Sequence, residues 1–393
     1  MLMNLQLAPV SDFISDSPYS FFHTVASNKE FFSRLEIEGA DKARLLQSRI
    51  GWPSDQELLE AVRDNLVINA TVTVDDIRRA IAIYGTAVPL IKGKMIRKTH
   101  NQSVQVQRVS LPAPLLEHHP TDELDIDFVY VQQAPYLLLK TQKIKFQSVQ
   151  CFNRISNKKK HKVTYKRGPT DIINGVKKVI SVHTNRGFNI TCVNGDNEFT
   201  KIEGKVGTDV QICAARQHIP RIERSIRTLK ERVRCCWVML PFKRLPKLVI
   251  DENMKDMVSC INNLPHKQGI SRTLSPSAIV LGRGKTDCNS LHATFGAYCE
   301  VHIGTTNGSE QRSVSAIALR PSNDKGGYYF MSLDSGRRIH GYIWKELPIP
   351  NHVIRRVEEL ADGENAPDLD EDGCPIFKWE IGQPVIEDEA IEH

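Results

Sequence analysis

Residues 187–240 read GFNITCVNGDNEFTKIEGKVGTDVQICAARQHIPRIERSIRTLKERVRCCWVML. The stretch predicts a strand, a tight acidic turn, a short strand and one long helix. Phe188 to Val193 is rich in β-formers and runs into Asn194-Gly195-Asp196-Asn197-Glu198-Phe199. After Pro220, which suits a first helical position, apolar residues fall at Ile222, Ile226, Leu229, Val233, Trp237 and Leu240. Steps of three and four predict an amphipathic helix. Glu223 sits in its first turn, with Arg227 and Lys230 further along the same bordering face. A carboxylate at a strand end, a second on a helix and a line of cations suit a divalent metal and nucleic acid.

A third carboxylate lies upstream. Leu124-Asp125-Ile126-Asp127-Phe128-Val129-Tyr130-Val131 is a strand by composition, with an acid in its middle. Unpaired charge is costly in a buried strand, so Asp127 is expected to have a task. Asp127, Asp196 and Glu223 together would offer only oxygen, the donor that hard cations such as Mg2+ or Mn2+ prefer. Two such ions about 4 Å apart can clamp the attacking and leaving oxygens of a phosphodiester.

At these residues the chain resembles the integrase region of copia-type LTR retrotransposon polyproteins. The resemblance rests on Asp127 in its strand, the D-N-E-F of Asp196 to Phe199 and the P-x-I-E-R of Pro220 to Arg224. Ile261 to Pro265, Ser275 to Ala278, Phe295 to Tyr298 and Gly327 to Phe330 follow in the same order. It covers roughly residues 30 to 348. It implies an α/β fold: a ribonuclease-H-like mixed-sheet core behind a small helical module, followed by an SH3-like β-barrel. It implies DNA strand transfer, with Asp127, Asp196 and Glu223 as catalytic metal ligands. Element cDNA ends and target DNA would be the partners, and the protein would act as a homo-oligomer. Arg216, Arg227 and Lys230 would contact DNA phosphates. Lys158, Lys159 and Lys160 are either a further phosphate contact, a nuclear-import signal or a solvated hairpin tip.

The net charge of +6 over 393 residues is unevenly spread. From Val357 to His393 thirteen acids face one lysine, a balance of −12, so the rest carries +18, a balance that suits polyanions. Nine cysteines without a C-x-x-C pair, and no signal-like or membrane-length apolar run, predict reduced thiols in the nucleus and cytoplasm and no membrane partner.

Taken in order, residues 1–36 predict a weakly patterned arm and 37–97 a helical, gag-pre-integrase-like module. Two capping boxes open helices there, at Ser54-Asp55-Gln56-Glu57 and Thr73-Val74-Asp75-Asp76. The second contains V-D-D, which is better read as a helix N-terminus than as a polymerase turn. In the family this module carries a zinc site. Its two histidine positions fall here on Gln47 and Trp52 and its cysteine pair is absent near Asn69 to Val72, so no zinc is expected. Residues 98–122 predict a linker, 123–290 the core, 291–348 the barrel and 349–393 an acidic tail without fixed structure. Strands are expected near 124–131, 135–141 and 143–150, a helix over 170–184 and another over 251–264. Gly282 to Thr286 lacks the first glycine of a P-loop, and Asp334-Ser335-Gly336 is better read as a hairpin turn than as a protease triplet.

Two departures from the family pattern support a rival reading, a non-catalytic DNA-binding or assembly remnant. Asp196 and Glu223 are only 27 positions apart, and Gln217-His218-Ile219-Pro220 has no glycine.

Overall fold

The computed structural model describes residues 23–95, 109–132, 134–157, 162–165, 167–213, 220–286, 291–304, 310–322 and 325–363. Five helices come first: α1 (Val25–Glu30), α2 (Arg34–Arg49), α3 (Asp55–Arg63), α4 (Val74–Tyr84) and α5 (Val88–Lys94). Ser33, Ser54 and Thr73 each cap a helix through a reciprocal bond with the acid three residues on. Ala40, Ala43, Leu58, Ile77, Ala80 and Ile83 form this module's own core. The module starts before residue 37, because α1 and α2 occupy the end of the expected arm.

Gln47 is fully buried. Its amide donates to Pro53 O at 3.0 Å and Asp55 Oδ1 at 3.0 Å, and its carbonyl accepts from Arg44 Nη1 at 2.6 Å. Arg44 also pairs with Asp55 at 2.8 Å and donates to the carbonyls of Ala80 and Gly85. This buried polar network links α2, α3 and the end of α4, although Arg44 Nε within it has no hydrogen-bond partner among the described residues.

A short helix, α6 (Ala113–His118), leads into the central sheet. Its strands are β1 (Thr121–Val131), β2 (Ala134–Thr141), β3 (Gln147–Cys151), then after a separate hairpin of β4 (Arg154–Asn157) and β5 (Lys162–Tyr165), β6 (Asn189–Gly195) and β7 (Asp209–Ile212). The order is β3-β2-β1-β6-β7. β1 pairs antiparallel with β2 and parallel with β6, and β6 pairs parallel with β7. This is the expected mixed sheet of ribonuclease-H-like order. The crossover into β6 is α7 (Pro169–Thr184), which ends before Gly187 at φ +88°, a conformation that favours glycine.

β1 is apolar on both faces because helices cover both. Leu124, Ile126 and Phe128 meet Ile172, Val176 and Val179 of α7. Val129 and Val131 meet Ile222, Ile226, Leu229, Val233 and Trp237 of α8 (Pro220–Val238). Each large side chain so buried contributes roughly 1.5–3 kcal/mol. α9 (Lys247–Asn262) packs beside α8, with Met254 fully buried as a core filler. α10 (Pro276–Leu281) closes this part of the chain, and Gly282 ends it in the left-handed conformation.

The second sheet has β8 (Tyr298–His302), β9 (Ser313–Pro321), β10 (Tyr328–Ser332), β11 (Arg338–Gly341) and β12 (Trp344–Leu347), in the order β11-β10-β9-β8-β12. The expected closed barrel is not formed: among the described residues no ladder joins the edge strands β11 and β12. The sheet is nevertheless strongly curled. Trp344 on one edge lies 4.9 Å from the ring of Tyr328 on β10, although three strand spacings separate the two strands, about 14 Å in a flat sheet. Only Tyr342 and Ile343 connect β11 to β12, so the chain passes from one edge to the other and β12 pairs with β8 instead. The Asp334-Ser335-Gly336 turn does join β10 to β11, with Gly336 N donating to Ser332 O at 2.8 Å.

The expected tail begins as a helix, α11 (Asn351–Asp362). Glu359 and Asp362 are exposed, while Val353 and Val357 join the same core as α8 and α9 and Ala361 is buried on the same face. No helix among the described residues is long and apolar enough to cross a membrane.

Candidate functional site

The β1–β6 ladder leads up to the two aspartates. Asp125 is level with Asn194 in the last pair of the parallel ladder; Asp127 follows two residues further along β1, and Asp196 two residues on, just beyond the end of β6. Asp196 follows the carboxyl end of β6, where sites form in sheets with parallel strands. It caps the 3-10 turn Asn197–Ile202 by accepting from Glu198 N at 3.1 Å. Gly195 lets the chain enter this turn: a Cβ there would stand 2.8 Å from Phe199, whose ring stacks on Phe128 at 5.2 Å.

Burial singles out a different acid from the one expected. Asp125 is 1% exposed, whereas Asp127 is half-buried. Asp125 is compensated by Gln142 Nε2 at 2.8 Å, Asn194 Nδ2 at 3.1 Å and Arg221 Nε at 3.3 Å. Asp127 accepts from Phe128 N at 2.7 Å. The cost of a buried charge therefore explains the partners of Asp125, and the strand register singles out Asp127.

α8 presents two edges beside its apolar stripe. At about 100° per residue, Glu223 and Lys230 lie on one edge and Arg221 and Ser225 on the other. Glu223 is half-buried, and Arg227 is exposed beyond it. Lys230 departs from the expected phosphate contact. It is 9% exposed and Asp127 is a charged neighbour. Burial lowers its pKa, the Arg234 charge adds to this, and Asp127 opposes both. The reason is the helical period: Lys230 follows Ile226 by four and precedes Val233 by three, which puts it on the stripe facing the sheet. Arg216, Lys158, Lys159 and Lys160 lie outside the described residues. The hairpin that bears the three lysines is present on both sides of them, with Asn157 paired to Lys162.

Glu198 is a further acid at this rim. Its pKa is raised by loss of water around the carboxyl and by Asp196, with Arg167 opposing. Arg167 donates to Tyr130 Oη at 2.6 Å and lies 5.8 Å from the centre of the Phe128 ring. The sequence signal was the quoted D-N-E itself, with acids at both ends of one turn.

The donor chemistry of Asp127, Asp196 and Glu223 suits a hard divalent ion, but their placement does not complete a site. Among the described residues no three Asp, Glu, His or Cys side chains stand close enough to hold a metal. Lys230 is a cation beside Asp127.

The two cations of α8 should now behave differently. Arg227→Ala should flatten the slope of log affinity for DNA against log salt by roughly 0.9 and leave the melting temperature unchanged. Lys230→Ala should leave that slope alone and lower stability by about 1–3 kcal/mol, because a carboxylate loses a neighbouring charge in a half-buried place. Salt titrations and thermal melts on both variants check this; equal slopes would remove the distinction.

No protein-family profile matches the chain, and no curated protein matches it in sequence. Among solved structures it is similar to the catalytic core domain of BIV integrase, at 12% identity over 41% of this chain and 93% of that one, with a TM-score of 0.28. It is similar to a chain of the simian T-cell lymphotropic virus intasome in complex with PP2A regulatory subunit B56 gamma, at 13% identity over 70% of this chain and 91% of that one, with a TM-score of 0.28. The third is the HTLV-2 integrase catalytic core domain in complex with magnesium, in its dimeric form, at 16% identity over 40% and 97%, with a TM-score of 0.28. A score of this size adds nothing to the strand order, which by itself defines a mixed five-stranded core with helices on both faces.

Proposed function

We propose that the protein is an integrase of the copia type that transfers DNA strands, joining element cDNA ends to target DNA in the nucleus as a homo-oligomer. The observation that supports this reading is the parallel β1–β6 ladder, whose last pair, Asp125 and Asn194, lies two residues before Asp127 and Asp196 in the middle of the sheet. Glu223, in the first turn of α8, completes the ordered set of acids. The divalent ion of this reading, Mg2+ or Mn2+, supplies Lewis-acid stabilisation of charge on a phosphodiester. Asp127 and Asp196 would hold it, with Glu223 as the third carboxylate. Arg227, exposed one turn beyond Glu223, holds a DNA phosphate. The curled C-terminal sheet is read as the open counterpart of an SH3-like barrel.

The test is direct. Purified protein is incubated with a labelled DNA end, a target duplex and magnesium or manganese, and joined product is resolved by size. Joined product that needs the divalent ion supports the reading. DNA binding without joining favours the second reading, a DNA-binding remnant. Lys230 beside Asp127 is the observation that favours this second reading, because it places a built-in cation beside one of the proposed metal ligands.

A further inference from the structure

On the other edge of α8, four parts of the chain bring cations together. Lys140 of β2 donates to Ser225 Oγ in the second turn of α8. Arg221 of the first turn reaches Asp125 of β1 at 3.3 Å. The turn after β2 carries Lys145 at φ +67°. The loop after α9 closes over that turn: a Cβ on Gly269 would lie 3.2 Å from His266 O and 3.8 Å from Ile144 O. Gln147 and Asn262 bind this loop's base to β3 through two bonds of 2.8 and 2.7 Å.

We propose that Lys140, Lys145, Arg221, Arg224 and His266 form a second phosphodiester-binding site, which holds the backbone of duplex DNA on the edge of α8 away from Glu223. The proposal rests on the DNA-binding part of the reading above and not on its chemistry. Arg221 and Arg224 are exposed, and Lys140, Lys145 and His266 are half-buried, so the cluster has both a solvent-facing rim and a floor. The acids beneath it are already engaged. Asp122 accepts from the backbone amides of Glu123, Lys143 and Ile144. Glu123 and Asp125 share Gln142 and Asn194.

Crowding like charges has a cost. Burial and the Lys145 charge push Lys140 down to about 8, with Arg224 adding to the shift and Asp125 opposing it. His266 is lowered by burial and by Lys140 and Lys145. Cations on three elements, β2, the turn after it and α8, lie close enough to lower Lys140 and Lys145; an anion set among them relieves that crowding, a phosphate fits the mixture of guanidinium and ammonium donors, and His266 adds a polar ring at the rim.

The experiment measures binding of a labelled DNA duplex across a salt series, for the whole chain and for Lys145→Asn combined with Arg224→Gln. Asparagine tolerates the left-handed backbone at 145, and Arg224 is exposed. The double variant should lose about two units of the slope of log affinity against log salt, with affinity falling alike for all sequences. A slope equal to the parent's overturns the site. Chemical acetylation gives a second readout on the unaltered protein. DNA should shield Lys140 and Lys145 from an amine-acetylating reagent; equal labelling with and without DNA overturns the proposal. If the parent joins no DNA ends but the slope falls, the strand-transfer reading fails and this site stands. If the parent joins ends and the slope is unchanged, the reverse holds.

Discussion

Asp196→Asn should lower DNA end joining by about a hundredfold or more while leaving affinity for the same DNA nearly intact. The substitution keeps shape and one oxygen but removes the charge that a hard cation requires. A bound ion contributes several kcal/mol to the stabilisation of a reacting phosphodiester, and each 1.36 kcal/mol is tenfold in rate. The fold should survive. The cap to Glu198 N uses Asp196 Oδ1, an acceptor that the asparagine carbonyl retains. DNA affinity should survive because phosphate contacts come from cations elsewhere. Joining at the parent's rate by this variant would remove Asp196 from the site. Tighter DNA binding with no joining by either protein would place the aspartate as a repulsive charge near the backbone, as the remnant reading requires.

The central sheet was legible because its signals are local. Alternation and composition predicted β1, β2, α7 and α8 to within a few residues, and Asn194-Gly195-Asp196 marked the end of β6. Where apolar spacing continued through a turn, the reading failed. Ile144 and Phe146 extend the pattern of a strand over 143–150, yet they are buried in a different cluster, with Phe188 and Ile279. Lys145 between them takes a left-handed backbone, and β3 begins only at Gln147. Composition misled at the other end. The acid count that suggests an unstructured tail hides the spacing of Val353, Val357 and Ala361, which docks α11.

The site was legible as a set of positions and not as a geometry. Sequence order puts Asp127 in a strand, Asp196 in the turn after a strand and Glu223 in the first turn of a helix, and those elements are formed. It could not show that Lys230 turns inward, because a lysine on an apolar stripe is told from one at its border only by what lies opposite. It takes Asp127 as the acid of β1 with a task, although Asp125 alternates onto the same α8 face. That Asp125 is the more deeply buried of the two, held by Gln142, Asn194 and Arg221, depends on contacts between residues far apart in sequence. The second cationic cluster was hidden for the same reason: its members lie on four segments that meet only in the fold.

Glu252→Ala should cost about 3–5 kcal/mol. Glu252 is on α9, 1% exposed, and receives Arg320 of β9 at 2.6 Å, Arg338 of β11 at 2.9 Å and Lys255 at 2.8 Å. Tyr329 lies between the two guanidinium groups, 4.8 Å from Arg320 and 4.7 Å from Arg338. One carboxylate thus ties the central core to the curled sheet and offsets the mutual repulsion of three cations. Removing it leaves those charges facing one another in a poorly solvated seam. Glu252→Gln keeps an acceptor and should cost less, which separates the charge from the packing. Burial alone would raise the Glu252 pKa. The Lys255 hydrogen bond and the charges of Lys255, Arg320 and Arg338 outweigh it and hold the pKa below the usual value. A carboxylate with a depressed folded pKa stabilises fully above its unfolded value, about 4.3, and loses that contribution as pH falls through the folded one. Denaturant titrations of parent and Glu252→Ala should therefore differ most at neutral pH and draw together as pH falls below about 4.3. A difference that stays constant throughout acid titration would mean that the loss is one of packing, and that the charge does not join the two sheets.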